Sequence, residues 1–542
     1  MEQPPAQASG ELGLEEAVGQ LVWTYIGDDL ATVEDMAGQG QIGAVIVGRG
    51  ELVTPKQAAE LTNHLQQLAR RPLLFAADFE AGVGQQLQEG ATELPTHMAI
   101  GATASRAIAR TCGEITAREA RAIGVRMVLA PVLDVNSNPD NPIINVRSFG
   151  ADPELVAEMG KAFAQGVANG GCLAVGKHFP GHGDTSEDSH LRLPQVSRQR
   201  RDLEEIDLLP YRVTIADGLP AVMSAHVCYP ALDPTPGLPA TLSYLILTDL
   251  LRHQMGFKGL MVTDAMVMRA IADNFPAAEA DVMAVRAGAE LVLAGQPRET
   301  YHALLGAART GQLSPESVQA AAAHILSIKR QLGLMERRTV DADEAEEALD
   351  TPEHTTLAGQ ATEAAVTVVR NEGMLPLRPG GDDILAVVSA SEPEGPTARA
   401  GDVLAAEMRR RWPRVTLLNA PGEASDGRRE EVERACQEAA LVVFAAFPTP
   451  RAYGPDSTGI SPSQAALLRE LQASRRRLVL ISYGSPYLVR HFPHVTAYVC
   501  AYGAARPLVE ASVAALFGEL VPAGKLPVPI PEVAAIGWGL RY

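Results

Sequence analysis

At 542 residues the chain is too long for one ordinary hydrophobic core, so a large barrel plus a second domain is the natural division. Its 46 Lys and Arg against 65 Asp and Glu give a formal charge of −19, which argues against nucleic acid or an anionic membrane as the main partner, since both require basic surface. A content of 46% hydrophobic and 20% charged residues is that of a globular protein, and no apolar run approaches the roughly 18 residues of a membrane-spanning helix.

The start, Met1 to Gly13, is polar, carries Glu2 and Glu11, and has neither a basic region nor an apolar run of the kind found in signal peptides. Leu14, Val18, Leu21, Val22 and Tyr25 then mark one face of an amphipathic first helix. Short apolar runs follow at Ile42–Val47, Leu73–Ala77, Val125–Ala130, Leu173–Val175, Ala221–Met223, Leu260–Val262 and Glu290–Leu293, each typical of a strand buried on both faces. Helical stretches separate them. Asp152-Pro153 supplies an N-cap and a proline at the first helical position, and Ser314-Pro315 opens a helix whose Val318, Ala322, Ile325 and Leu332 form a stripe. Seven strand runs alternating with helices imply a parallel sheet with right-handed crossovers, and seven or eight such units over some 300 residues imply a TIM-type barrel occupying residues 1–335. An eighth strand is not evident.

From 336 to 358 the chain turns charged, with Asp341-Ala-Asp-Glu-Ala-Glu-Glu347, and reads as a linker with some helix. A second alternating series, with strands expected at Ile384–Val388, Val415–Leu418, Leu441–Ala445, Leu478–Ser482 and Ala497–Cys500, makes 359–542 a smaller α/β sandwich. The five cysteines, Cys112, Cys172, Cys228, Cys436 and Cys500, are scattered without CxxC spacing and read as buried free thiols, consistent with a reducing cytoplasm.

In a barrel of this kind the residues just after each strand converge at one mouth. Here they are Asp78, Asp134, Arg147, Lys177, His178, His226 and Asp264. One charged group at a strand end is ordinary as a cap or loop contact, but a set on successive strands marks a site, because unpaired charge is costly to bury. The densest stretch is Lys177-His-Phe-Pro-Gly-His-Gly-Asp-Thr-Ser-Glu-Asp-Ser-His190. Within it Asp188 lies two residues from His190, so in an extended segment its carboxylate can accept the imidazole N–H, fix the tautomer and make His190 a proton donor. Asp264, ending the run Leu-Met-Val-Thr263, is placed as a nucleophile or as an electrostatic stabiliser of a cationic transition state; the plainer alternative is a cap for the next helix. A metal site of His178, His182 and His190 lacks any compact ligand spacing, because Pro180 and Gly181 intervene.

Together Lys177-His-Phe-Pro-Gly-His182, Asp188-Ser-His190, Ala130-Pro-Val-Leu-Asp-Val135, Arg147-Ser-Phe-Gly150, Ser224-Ala-His226 and Thr263-Asp-Ala-Met266 resemble glycoside hydrolase family 3, in its bacterial β-N-acetylglucosaminidase branch. Leu375-Pro-Leu377 and Gly524-Lys-Leu-Pro527 extend the resemblance more loosely into the second domain. The resemblance implies a retaining, two-step hydrolysis without cofactor or metal: Asp264 as nucleophile, His190 oriented by Asp188 as acid/base, and Asp78, Arg147, Lys177 and His178 holding the sugar. It also implies a small carbohydrate partner, either a cell-wall muropeptide or a chitin oligosaccharide, with the protein a monomer or homodimer. The sequence departs from the family in one place. After Asp78 and an acidic residue the family carries two glycines and an arginine, where this chain reads Glu80-Ala-Gly-Val83. Competing readings are a family 3 β-glucosidase or xylosidase, an N-acetylglucosaminide phosphorylase, a metal-dependent hydrolase, and a non-catalytic sugar-binding protein.

Overall fold

The structure, a computed structural model, describes residues 12–27, 29–380, 383–392, 396–420, 422, 426–448, 459–474 and 477–542. The polar leader up to residue 11, where no signal peptide is expected, lies outside the described residues. Eight parallel strands form the first sheet: β1 Val22–Tyr25, β2 Ala44–Ile46, β3 Leu74–Ala77, β4 Met127–Val128, β5 Leu173–Phe179, β6 Ala221–Ser224, β7 Leu260–Thr263 and β8 Val292–Ala294. They run in sequence order around the sheet, with β1 pairing β8. A bridge between Val262 and Leu291 and the Thr263 N–H donating to the Leu291 carbonyl link β7 to β8, bringing the sheet round to an all-parallel barrel.

The strand not evident in the sequence is β1. The first helix covers Leu14–Leu21 only, and Val22-Trp-Thr-Tyr25 passes directly into the barrel. A β-branched and aromatic quartet of that composition favours a pleated strand, and burial of Val22, Trp23 and Thr24 outweighs the helical spacing of Val22 and Tyr25. The consequence is functional, since Tyr25 moves from a helix flank to the barrel mouth.

The linker is more ordered than its charge implied. It forms the helices Ala342–Ala348 and Pro352–Ala365, the second crossing the expected boundary at 358. Buried Glu119 of the barrel fixes it, accepting from the Asp350 N–H at 3.0 Å and pairing with His354 Nδ1 at 2.9 Å. The second sheet has six strands: β9 Thr367–Asn371, β10 Leu385–Ser389, β11 Val415–Asn419, β12 Leu441–Ala446, β13 Leu478–Ser482 and β14 Ala497–Cys500. Their order is β11-β10-β12-β13-β14-β9, parallel except for the edge strand β9, which is not evident in the sequence.

The two halves share a core. Met98, Ala99 and Ala102 of the barrel helix His97–Thr103 pack in one apolar cluster with Val388, Phe444, Leu480 and Tyr498 of the second sheet. Backbone hydrogen bonds cross the seam from Ala151 to Pro527 and from Lys525 to Ala102, each at 2.9 Å. All five cysteines are buried and none is joined to another, and among the described residues no helix is long and apolar enough to cross a membrane.

Candidate active site

A cavity of about 590 Å³ opens at the C-terminal ends of the barrel strands. Asp78, Arg147, Lys177, His178, His190 and Asp264 all line it, so six of the seven side chains expected from the sequence converge there. Asp188 stands behind His190 and is bonded to its ring. Two other strand-end residues, Asp134 and His226, lie beneath the wall and hold it in place.

The polar wall centres on Glu80, which the sequence marks only as part of the altered stretch after Asp78. Its carboxylate takes two hydrogen bonds from Arg147, Nε at 3.0 Å and Nη2 at 2.8 Å, and lies 2.7 Å from Lys177 Nζ. Lys177 Nζ also reaches Asp78 at 2.6 Å, although the lysine side chain is only 2% exposed. Burial alone would push the Glu80 carboxyl up, but the two cations outweigh it and hold it well below the usual carboxylate range. Lys177 and Arg147 are pushed up in turn by the carboxylates, against the effect of burial. Glu80, Lys177 and Arg147 therefore stay charged, and the ion-paired cluster forms a rim from which Asp78, 42% exposed, faces the cavity.

The end of β5 is fixed from below by Asp134, which is fully buried. One of its oxygens accepts the backbone N–H groups of His178 (3.1 Å) and His182 (2.7 Å), and the other accepts from His178 Nδ1 at 2.7 Å. A carboxylate only accepts, so the His178 proton sits on Nδ1, leaving Nε2 on the cavity side, 3.4 Å from Arg147 Nη2. The Lys177–His178 and Phe179–Pro180 peptide bonds are cis.

Asp264 follows β7, and its Oδ1 accepts from the Ala265 N–H at 2.7 Å. Burial would raise its pKa, but nearby His178 and His226, the Ala265 N–H and Lys177 outweigh that effect and lower it. The carboxylate is therefore ionised at the barrel mouth, as a nucleophile must be. Burial lowers the His226 pKa, and its Nε2–H donates to the Ala265 carbonyl at 3.0 Å, pinning the turn that carries Asp264.

His190 sits on the loop after β5, its side chain 44% exposed. Asp188 Oδ1 accepts both the His190 backbone N–H and Nδ1–H at 2.8 Å, so Nε2 is the free ring nitrogen. Burial opposes ionisation of Asp188, but its bonds to His190 prevail and keep the carboxyl below its ordinary pKa. The neighbouring Ser189 is held by His182, whose pKa is pushed down to about 4 by burial. Neutral His182 donates from Nδ1 to Thr185 Oγ1 at 2.9 Å and accepts from Ser189 Oγ at 3.0 Å. His178, His182 and His190 thus each hold a protein partner, and among the described residues no three His, Cys, Asp or Glu side chains gather as a metal site.

Tyr25, Gln85, Gln86, Val267 and Met268 line the same cavity and were not anticipated. Tyr25 ends β1, and its phenol is pushed up by burial and by the Asp264 and Asp78 charges, so it stays a neutral hydrogen-bond donor. Where the family places an arginine, Val83 is buried against the core, and the following turn brings Gln86 Nε2 to the Asp78 carbonyl at 3.3 Å.

Known proteins share this fold and its two-domain sequence. Residues 13–328 match the glycosyl hydrolase family 3 N terminal domain, and residues 366–536 match the family's C-terminal domain. The chain belongs to glycosyl hydrolase family 3. A β-N-acetylglucosaminidase/β-glucosidase of Cellulomonas fimi is 30% identical over 540 residues, 96% of this chain and 94% of that protein. β-Hexosaminidase A of Pseudoalteromonas piscicida is 36% identical over 375 residues, which span 64% of this chain but only 62% of that protein. Among solved structures, a family 3 β-N-acetylglucosaminidase from Paenibacillus sp. str. FPU-7 superposes with a TM-score of 0.86 at 31% identity, covering 96% of this chain and 99% of that one.

Proposed function

We propose that this family 3 member is a β-N-acetylhexosaminidase that removes β-linked N-acetylglucosamine from non-reducing ends by a retaining mechanism. The names of the Cellulomonas, Pseudoalteromonas and Paenibacillus relatives support the sugar and the reaction class. The observation that carries the mechanism is the pairing, in one cavity, of an ionised carboxylate, Asp264, with an Asp188-oriented imidazole whose Nε2 is free.

Asp264 attacks the anomeric carbon as His190 Nε2–H protonates the departing glycosidic oxygen, giving a covalent glycosyl-enzyme and a neutral imidazole. His190 Nε2 then takes a proton from water, which displaces Asp264 and releases the sugar with retained configuration. Asp188 stabilises the imidazolium and fixes its tautomer. Asp78, Tyr25, His178 and the Glu80-braced Lys177 and Arg147 hold the ring hydroxyls and 2-acetamido group so that the anomeric carbon faces Asp264. The substrate is a cell-wall muropeptide or a chitin oligosaccharide, and five buried cysteines scattered without CxxC spacing favour a cytoplasmic site of action. The catalytic machinery is placed in the barrel, residues 1–335, with 336–358 joining it to the domain of 359–542.

The test is turnover of a nitrophenyl β-N-acetylglucosaminide beside the matching β-glucoside, each in strong chelator and with and without phosphate. Preferential cleavage of the acetamido substrate to free sugar at a phosphate-independent rate is expected. Sugar phosphate as product would make the enzyme a phosphorylase, a chemistry open to an imidazole because it repels an incoming anion less than a carboxylate does. Silence on both substrates would favour a sugar-binding role.

A further inference from the structure

We propose that the second domain positions the acid/base loop, with Arg490 and Tyr487 acting through the barrel segment Asn136–Asn141; the proposal rests on His190 being the acid/base. Both residues lie on the short helical turn Pro486–His491 that follows β13. Arg490 Nη1 forms an ion pair with Asp140 Oδ1 at 2.8 Å, and Asn136 Nδ2 donates to the Tyr487 hydroxyl at 2.9 Å. Tyr487 and Asn136 are fully buried.

Segment Asn136–Asn141 in turn grips the root of the catalytic loop. The Asp140 N–H donates to Asn138 Oδ1 at 3.0 Å, which orients that amide so that its Nδ2 donates to the carbonyls of Asp184 (3.3 Å) and Thr185 (3.2 Å). The Asn138 N–H reaches the Gly183 carbonyl at 3.3 Å, and Asn141 Nδ2 reaches the His182 carbonyl at 2.9 Å. Contact is so close at Gly183 that a Cβ there would fall 1.8 Å from the Val135 carbonyl oxygen. Arg198 closes the clamp, donating to Asp184 Oδ1 at 2.8 Å and to Ser137 Oγ at 2.7 Å.

From Thr185 the grip passes through His182 to Ser189, the residue before His190. Asp264 needs no such support, since it stands on a barrel strand. His190 stands on a loop, and the loop's root is held by a segment anchored on the other domain. Arg490 and Tyr487 are therefore positioning residues, separated from the proton they govern by Asp140, Asn136 and Asn138.

The test compares kcat/KM on two substrates. A dinitrophenyl β-N-acetylglucosaminide has a leaving group that departs without protonation, whereas a β-linked N-acetylglucosamine disaccharide requires the acid. Arg490→Ala is expected to lower kcat/KM on the disaccharide about tenfold or more while changing the dinitrophenyl value less than about twofold, because a small misplacement of a catalytic group is costly. Asp140→Asn, which breaks the same pair from the barrel side, should show the same split, the double variant no further loss, and Arg490→Lys partial recovery. Glu93→Gln, which disturbs a different contact across the seam (with the Arg506 N–H), should change neither substrate. Equal losses on both substrates, or no loss on either, would overturn the proposal. His190→Ala provides the reference. If it shows no split, the acid/base assignment itself is wrong; if it splits strongly and Arg490→Ala does not, only the positioning role fails.

Discussion

Replacing Glu80 with Gln keeps the shape of the side chain and removes one negative charge from between two buried cations. In the parent protein that carboxylate takes two hydrogen bonds from Arg147 and one from Lys177. After substitution Arg147 keeps the Ile143 carbonyl at 3.2 Å and Lys177 keeps Asp78, but the two cations then face each other across a neutral amide. Removing one partner from a buried pair costs about 3–5 kcal/mol, and because Asp78 remains on Lys177 the lower end applies. Spread over the unfolding entropy of a barrel of about 300 residues, a loss of about 3 kcal/mol lowers Tm by about 5 °C. Repulsion between Lys177 and Arg147 should also loosen the sugar-facing rim, raising KM and reducing kcat/KM at least about tenfold. Since the folded-state pKa of Glu80 is depressed below its ordinary 4.5, its stabilisation is present above that value and is lost as pH falls through the depressed one. The Gln variant lacks this component, so its stability should fall less steeply on the acid side. Calorimetry across pH with steady-state kinetics checks all three effects. A variant within about 1 °C of the parent with unchanged KM would refute the claim that Glu80 braces the site.

Asp264→Ala should lower turnover by several orders of magnitude with unchanged circular dichroism and Tm; near-normal turnover would remove it as nucleophile. Asp188→Asn should reduce kcat on the disaccharide on the order of 10²-fold, because the amide cannot stabilise the imidazolium, and a full kcat would assign Asp188 a merely structural role. Lys329, fully buried with Nζ donating to Gln20 Oε1 at 2.7 Å, has its pKa pushed by burial from 10.5 to about 7. Between those values the unfolded state binds the extra proton, so stability should rise with pH there, on the order of 1 kcal/mol per unit. Lys329→Met should be more stable than the parent near pH 7 and should flatten that rise, as measured by denaturant unfolding at several pH values.

What the sequence revealed and concealed follows from where each signal resides. Seven barrel strands were legible because strands buried on both faces are short apolar runs ended by polar residues. β1 was hidden because it continues a helix without a break, so Val22 and Tyr25 also satisfy helical spacing. β9 escaped in the same way, following the helix Pro352–Ala365 after a single residue. The charged side chains at the mouth were legible as a set, since charge at the ends of successive buried strands is too costly to keep unless it is paired or used. Their division of labour was not. Glu80 and Asp78 are two apart and both acidic, yet one is a buried hub and the other a cavity-facing acceptor. Asp134 and Asp264 both end apolar runs, yet one lies under the wall and one in it. Only the packing of neighbouring elements separates these roles.

That division also explains why the two chemical groups are mounted differently. In the mechanism proposed above the nucleophile must meet one carbon along one line, and the end of a barrel strand would fix Asp264 for that purpose, with His226 pinning the following carbonyl. An acid/base must serve two oxygens in succession, the departing one and that of the incoming water, so a mount with some reach suits it. Asp188 satisfies the fixed part of the task by locking the His190 ring to its own backbone, since one oxygen takes both the N–H and Nδ1–H of the same residue. Carboxylate and ring are therefore held together, and in the proposed mechanism the pose of the loop decides where the proton goes. Control of that pose must come from outside the dyad, and the bonds that supply it lead from the loop root to the second domain. A barrel of this family that lost its second domain would need another anchor for Asn136–Asn141 before its histidine could act as an acid.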